Sequence, residues 1–291
     1  MRRRAGLFGI LAALTGFTAA PALAEPVCGT TGVMTRLQTA LAQPRGELLI
    51  AAHRAGHLRS PENSLAAIEE AVQARADIIE IDVKVSADGV PFLMHDQTVA
   101  RTTDGSGEAE GLTYAQVRAL RLADGSPPPT LVEALRSACG RVLVDLDLKT
   151  DRVAPIVAVV EGLGMTDQVL FFDSDSRVLA QVRRLAPETR LMPRVGRPDG
   201  LAAATTGLSP VVVIHGDPDS LSPDLQADIR ALPARVWVNS LGEVDTALAD
   251  GAPDLCPRLR ALVNLDANII QTDRPQNLRH ALSSCGLEAA K

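Results

Sequence analysis

The sequence predicts an α/β fold, a closed (β/α)₈ barrel with a small insertion after the second strand. Three observations carry this. Short β-branched runs alternate with longer amphipathic ones, as βα units around a parallel sheet require. The length of 291 residues suits one such barrel, which typically needs ~250 residues. Polar residues gather at the C-terminal ends of the strand candidates, the rim at which barrel active sites lie. A doubly wound open sheet is the competing arrangement, but no GxGxxG or GxxxxGK turn follows any strand candidate.

Eight strands are expected in order: LLIAAH (48–53), DIIEIDV (77–83), VLVDLDLK (142–149), QVLFFD (168–173), RLMPRV (190–195), VVVIH (211–215), RVWVN (235–239) and NIIQTD (268–273). Helical segments fall between most of them. PENSLAAIEEAVQA is expected to start at Pro61, and TLVEALRSAC at Thr130. Almost fifty residues separate the second strand from Thr130, including an insertion at 97–129 that contains Gly and Pro. Its run RTTDGSGEAEGL reads as a surface loop, with a lid over the barrel mouth as the alternative. No repeat, low-complexity tract or second domain is evident.

Residues 1–24 combine a basic start, an apolar middle and Ala22-Leu23-Ala24 before Glu25, the pattern of a cleaved secretory signal. The expectation is a secreted protein whose single domain spans 25–291. An uncleaved anchor is disfavoured because the apolar run is short and broken by Gly and Thr. No cysteine follows the cleavage site to carry a lipid. Of 29 basic residues three lie in this leader, so 26 face 35 acids, a formal −9. With 2% aromatic residues and no basic stripe, nucleic acid is not an expected partner. A small molecule is expected instead, with no stable membrane insertion after cleavage. Cys28, Cys139, Cys256 and Cys285 match no zinc spacing. An exported chain can form disulfides, for which Cys256–Cys285 is the preferred pair; free buried thiols are the alternative.

Side chains alternate along a strand, so Glu80 and Asp82 share one face while Ile79, Ile81 and Val83 share the other. Asp147 and Lys149 share a face in the same way. Buried carboxylates are costly unless paired. Three oxygen-bearing acids, Glu80, Asp82 and Asp147, suit one hard divalent cation, Ca²⁺ or Mg²⁺, better than zinc. A salt-bridge plug of the barrel top is the alternative, and too few bases are present for it. Asp88-Gly89 marks a hairpin turn; with these as a two-residue loop, His95 faces Asp82 across the pair. His53 and His95 then suit general acid and base roles at neutral pH. Arg54 and Lys149 suit phosphate oxygens. The chemistry that uses these parts together is displacement at phosphorus.

These residues also resemble a known family. AHRAGHLRSPENSLAAIEEAV and EIDVKVSADGVPFLMHDQTVARTTDGSG look like the two leading blocks of glycerophosphodiester phosphodiesterases. PTLVEAL, VDLDLK, VWVN and IIQTDRP follow in the family's order. The resemblance spans roughly 48–278 and implies a TIM barrel that hydrolyses glycerophosphodiesters to sn-glycerol 3-phosphate and an alcohol, in the periplasm. It implies catalytic roles for His53 and His95, and metal ligation by Glu80, Asp82 and the acid at Asp147. It places Glu62 at or just behind the metal and Trp237 on the glycerol side of the pocket. Two departures stand out. Ala55 replaces a family Gly, which strains the turn if φ is positive there, and Asp147 is one methylene shorter than the usual Glu.

Several residues keep two readings. His57 and His215 are either substrate-facing or loop residues; His280 is expected at the surface. Asp145 lies one layer below Asp147, a support for the ligands more than a ligand. Asp96 either orients His95 or caps the insertion, and Trp237 can be simple core. The rival functions are a lysophospholipase D-type activity on larger lipids, which calls for an apolar ramp at the mouth, and a catalytically silent binding barrel.

Overall fold

The computed structural model describes residues 28–196 and 200–287; the leader expected at 1–24 lies outside them. The strands are β1 (Leu49–Ala52), β2 (Ile78–Val85), β3 (Pro91–Leu93), β4 (Leu143–Leu148), β5 (Val169–Asp173), β6 (Arg190–Val195), β7 (Val213–Gly216), β8 (Arg235–Asn239) and β9 (Ile269–Thr272). All except β3 are parallel and run in the order β1-β2-β4-β5-β6-β7-β8-β9, with β9 returning to β1 to close a TIM barrel. Each of the eight expected strand segments is therefore a barrel stave.

Alternation divides the strands into two sets of side chains. Ile50, Ile79, Ile81, Val144, Leu146 and Ile270 pack outward against the helices. Leu49, Ile78, Leu143, Leu170, Met192, Val213, Trp237 and Ile269 fill the interior. The helix Gly32–Leu41 plugs the lower end, adding Met34, Leu37 and Leu41 to that inner cluster. A helix leaves its last carbonyls without partners, and here one buried side chain takes two of them. The Arg235 guanidinium donates to Ala40 O (2.6 Å) and Leu41 O (3.3 Å), and also to Glu47 O and Asn268 O. Burial lowers Arg235 to about 10, still charged at neutral pH.

The hairpin differs from the sequence expectation by one residue. Val83 pairs with Leu93, and Lys84 with Phe92, while Met94 N–H donates to Asp82 O. Asp82 thus stands opposite Met94, not His95. The cause is a three-residue loop, Ala87-Asp88-Gly89. Ser86 closes the turn against Val90, and Gly89 takes φ +90 at its end, as a left-handed third loop residue requires. Asp88 cannot be a plain turn residue, since its carboxylate accepts from Ser86 Oγ and from Tyr114 N–H, tying the loop to the insertion.

The insertion has a core of its own: Phe92, Met94, Val99, Ala109 and Val117 pack together around the short helix Tyr114–Ala119. It is more than a surface loop. The helix expected from Pro61 instead begins after Ser64, which caps Leu65–Gln73 by accepting from Ala67 N–H. Thr130 caps Leu131–Ala138 as expected, with Glu133 completing a reciprocal box. All four cysteines are paired, Cys28–Cys139 and Cys256–Cys285. The preferred pairing is present and the free-thiol alternative is not. No helix among the described residues is long and apolar enough to cross a membrane.

Arg235 makes a test of the plug. Arg235→Leu would remove a donor from four carbonyls, of which Ala40 O and Asn268 O keep the N–H of Gln43 and Leu49, and urea unfolding should show a loss of about 3 kcal/mol.

Candidate active site

The parallel register of β2 and β4 sets Glu80 beside Asp145 and Asp82 beside Asp147. All four point inward above the apolar layer, and Glu80, Asp82 and Asp145 are buried. They line one cavity with His53, His95, Lys149, Phe172, Arg194, His215, Asn239 and Gln271. Its volume is about 70 Å³, and it holds the four acids at its floor.

Oxygens of Glu80, Asp82 and Asp147 lie within 4.8 Å of one another. Burial, then the charges of Asp82 and Asp147, pushes Glu80 well above the usual carboxylate range. Burial and then Asp147 do the same to Asp145. Burial also raises Asp147, against the pull of Lys149. Lys149 Nζ donates to Asp147 Oδ2 (2.6 Å) and lies 3.4 Å from Asp82 Oδ1, and Arg54 Nε lies 3.6 Å from Asp82 Oδ2, so two side-chain cations face four carboxylates. Among the described residues Glu80 Oε1 and Asp145 Oδ1 are buried without a hydrogen-bond donor. An all-oxygen set with a spare buried lone pair fits a hard divalent cation. Asp147 reaches the group despite its shorter side chain.

The remaining ligand oxygens are held in place. Glu80 Oε2 accepts from Arg54 N–H (2.8 Å) and from Gln271 Nε2 (3.1 Å). Asp82 Oδ2 accepts from Asn63 Nδ2 (2.7 Å), and Asp82 N–H donates back to Asn63 Oδ1 (3.0 Å). Such supporting bonds orient carboxylates toward an ion.

Both histidines expected to be catalytic stand at this cavity, each backed by a carboxylate. His53 Nδ1 lies 2.7 Å from Asp273 Oδ1, and His95 Nδ1 lies 2.6 Å from Asp96 Oδ1. That contact fixes which nitrogen carries the backing proton and leaves Nε2 for chemistry. His57 Nε2 shares Asp273 Oδ1 at 3.1 Å, and this hydrogen bond raises His57 despite burial. Burial alone would raise Asp273, yet the bonds from His53 and His57 hold it well below the usual range. Asp273 is itself anchored: Asp245 accepts its N–H together with the hydroxyls of Ser240 and Thr272. His95 reaches the mouth although the ladder register is not the expected one, because the chain leaves the ladder after Leu93 and Met94 turns into the insertion core.

The turn after β1 carries the expected strain. Arg54, Ala55 and Gly56 all have positive φ, at 46, 65 and 73. A left-handed non-glycine residue costs roughly 1–2 kcal/mol. The turn is over-determined by Arg54 N–H to Glu80, Gly56 N–H to His53 O, and Asn63 N–H to Arg54 O. The Ala55 methyl packs in the outer core.

Two expectations need correction, those for Trp237 and Arg54. Trp237 is fully buried in the apolar layer beneath the cavity; its Nε1–H is shared between Asn239 and Gln271, so it supports the cavity lining without forming it. Glu62 is not one of the three clustered acids but stands just behind them, the second of its two expected places, bound to Arg54 (2.8 Å) and Arg101. Arg54 lies between Glu62 and Asp82, outside the cavity lining. His215 does face the cavity, lowered to about 4 by burial and then Arg194, and is neutral; His280 is exposed. Asn63, Arg101, Asp273 and Gln271 had no assigned role from sequence. Asn63 was readable beside Glu62 in the same block, and Asp273 as the polar end of the last strand.

The chain is similar to known proteins over most of its length. The model of the glycerophosphoryl diester phosphodiesterase family matches residues 53–267. Glycerophosphodiester phosphodiesterase 1 of Rattus norvegicus is 42% identical over 127 residues, which cover 40% of this chain and only 38% of that protein. A glycerophosphodiester phosphodiesterase structure from Agrobacterium tumefaciens has TM-score 0.68 at 27% identity, covering 79% of this chain and 98% of that one. An Oleispira antarctica phosphodiesterase in complex with the product sn-glycerol-3-phosphate has TM-score 0.68 at 25% identity, covering 81% and 96%.

The raised acids give a test that needs no substrate. A carboxyl raised in the folded state stabilises below its unfolded pKa, near 4.5 for Glu80, and that contribution is lost as pH rises through the folded value. Without a divalent cation, Tm should therefore be pulled down by these groups from pH 5 toward pH 8. A cation at ~100 Kd should restore roughly 5–10 °C at pH 8 and less at pH 5. In Glu80→Gln the metal-free loss should shrink and the cation response fall away.

Proposed function

We propose, from the premise that this chain belongs to the glycerophosphoryl diester phosphodiesterase family, that it hydrolyses glycerophosphodiesters to sn-glycerol 3-phosphate and an alcohol. The observation that carries the reading is the pair of carboxylate-backed histidines at one cavity with three clustered acids.

Glu80, Asp82 and Asp147 would hold one divalent cation, Ca²⁺ or Mg²⁺, whose chemistry is Lewis-acid polarisation of the phosphoryl group. Lys149 sits at the same acids and balances charge that develops on the phosphoryl oxygens. Arg54 does not line the cavity; its guanidinium stands behind the acids, with Nε 3.6 Å from Asp82 Oδ2 and Nη1 bound to Glu62. One histidine, neutral with Nδ1–H donated to its carboxylate, takes a proton from the nucleophile at Nε2. The other, protonated, delivers a proton from Nε2 to the departing alkoxide. Asp273 and Asp96 keep each ring in the orientation this exchange needs. The nucleophile is water or the substrate's own 2-hydroxyl; the second route passes through a cyclic phosphate. The polar lining supports a small head group over a long acyl chain, which favours this reading over a lysophospholipase D-type one.

The leader pattern at 1–24 and the two disulfides together support export to the periplasm, since the cytosol keeps thiols reduced.

Purified protein should release glycerol 3-phosphate from a panel of glycerophosphodiesters, lose the activity in EDTA and regain it with Ca²⁺ or Mg²⁺. His53→Ala and His95→Ala should each lower kcat at least ~10²-fold; near-normal turnover in both would sink the assignment, and turnover confined to lysophospholipids would shift the substrate class. Mass spectrometry of protein from the cell envelope should find Glu25 at the mature N-terminus, and an intact leader there would refute cleavage.

A further inference from the structure

We propose that Arg101, in the insertion, is a positioning residue that couples the insertion to both sides of the catalytic centre. The inference rests on the phosphodiesterase reading and deepens it. The guanidinium makes two forks. Nε donates to Asp96 Oδ2 (2.6 Å) and Nη2 to Asp96 Oδ1 (3.0 Å). Nη1 donates to Glu62 Oε2 and Nη2 to Glu62 Oε1, both at 2.8 Å. Each acid hands the contact on. Asp96 Oδ1 holds His95 Nδ1 at 2.6 Å, and Glu62 Oε1 accepts from Arg54 Nη1 at 2.8 Å. One side chain therefore sets the backing carboxylate of His95 and the partner of Arg54.

The turn that presents Arg101 is itself held. Thr103 donates from both N–H and Oγ1 to Val99 O, and Val99 is buried in the insertion core. That core also contains Phe92 and Met94, which flank the approach to His95. The insertion thus holds the return arm both through this core and through the Arg101 contact to Asp96.

Arg101 is nearly half exposed and does not line the cavity, so it acts through its two acids and not on the substrate. A lone exposed ion pair contributes little to stability. Here the bidentate geometry spans two acids that each hold another functional group. The expected consequence is therefore on rate. Lysine cannot replace it, since a compact ammonium does not form two planar forks.

Arg101→Ala should lower kcat roughly 10- to 100-fold, the order of loss from a misplacement of about 1 Å, with KM changed by less than about threefold. Arg101→Lys should be as slow as the alanine variant, while millimolar guanidinium should return part of the rate to Arg101→Ala alone. Asp96→Asn combined with Arg101→Ala should be no slower than Asp96→Asn by itself, because the two act as one unit. The Tm gain from the divalent cation should stay at the wild-type value, as no cation ligand is touched. Full activity in Arg101→Ala or Arg101→Lys, with wild type active, would overturn the proposal. So would loss of the cation response, which would mark a general disturbance of the fold. A wild-type protein that turns over no glycerophosphodiester would sink the function reading instead. In that event the clamp is still read by NMR: the His95 imidazole signals should move in Arg101→Ala, and unmoved signals would overturn the clamp itself.

Discussion

Four carboxylates stacked two by two at the top of β2 and β4 are the constraint around which the rest of the molecule is arranged. Hydrogen bonding between adjacent parallel strands puts Glu80 beside Asp145 and Asp82 beside Asp147, and the barrel interior removes water from them. Repulsion between buried like charges must be relieved by protonation or by a cation. Lys149 is placed to offset one charge, and Asn63, Gln271 and the Arg54 N–H each donate to a ligand oxygen. These donors hold the acids in place without neutralising them, leaving net negative charge for an ion to satisfy.

The same economy governs the histidines. Each ring is gripped at Nδ1 by a carboxylate that is itself anchored from a third direction. Asp273 hangs from Asp245, which collects the Ser240 and Thr272 hydroxyls as well. Asp96 is gripped by Arg101. The ring orientations therefore depend on segments far apart in sequence: the β8–β9 end for His53, the insertion for His95. The left-handed turn at Arg54–Gly56 belongs to the same design. It turns the backbone N–H of Arg54 onto Glu80 at the expense of two non-glycine residues with positive φ, strain of a kind that persists where the surroundings over-determine it.

Beneath the polar layer the barrel is ordinary apolar packing, and Trp237 shows how the two layers join. Its ring lies in the inner core, while its Nε1–H is shared between Asn239 and Gln271, and Gln271 continues to Glu80. The indole supports the cavity from below. At the opposite end Arg235 seals the helix Gly32–Leu41 into the barrel by its hydrogen bonds to Ala40 and Leu41. The only tryptophan of the chain and a fully buried arginine thus both tie the inner apolar layer to polar groups at its ends.

By itself the sequence determined the eight staves, the faces of Glu80, Asp82, Asp147 and Lys149, and the two histidines. The staves and the faces follow from alternation along a strand, a local rule with a period of two residues; the histidines stood out by residue type and by their place at segment ends, and the register expected to place His95 is not the observed one. It also pointed to strain at Ala55, because positive φ disfavours any side chain beyond glycine. Only the tertiary structure decided the rest, since each remaining feature depends on contacts between distant segments. The hairpin register turned on whether Ala87 belongs to the loop, a choice settled by Gly89 and by Asp88 bonding across to Tyr114. Trp237 was assigned to the pocket lining by its place in the strand, and the packing moved it beneath; for Glu62, expected at the metal or just behind it, the packing chose the second. Asp273 and Asn63 stood in legible places, a strand end and a motif, without a sign of their partners, and Arg101 has nothing local to distinguish it. They acquire roles only when the closed barrel and its insertion bring them to groups up to 220 positions away in the chain.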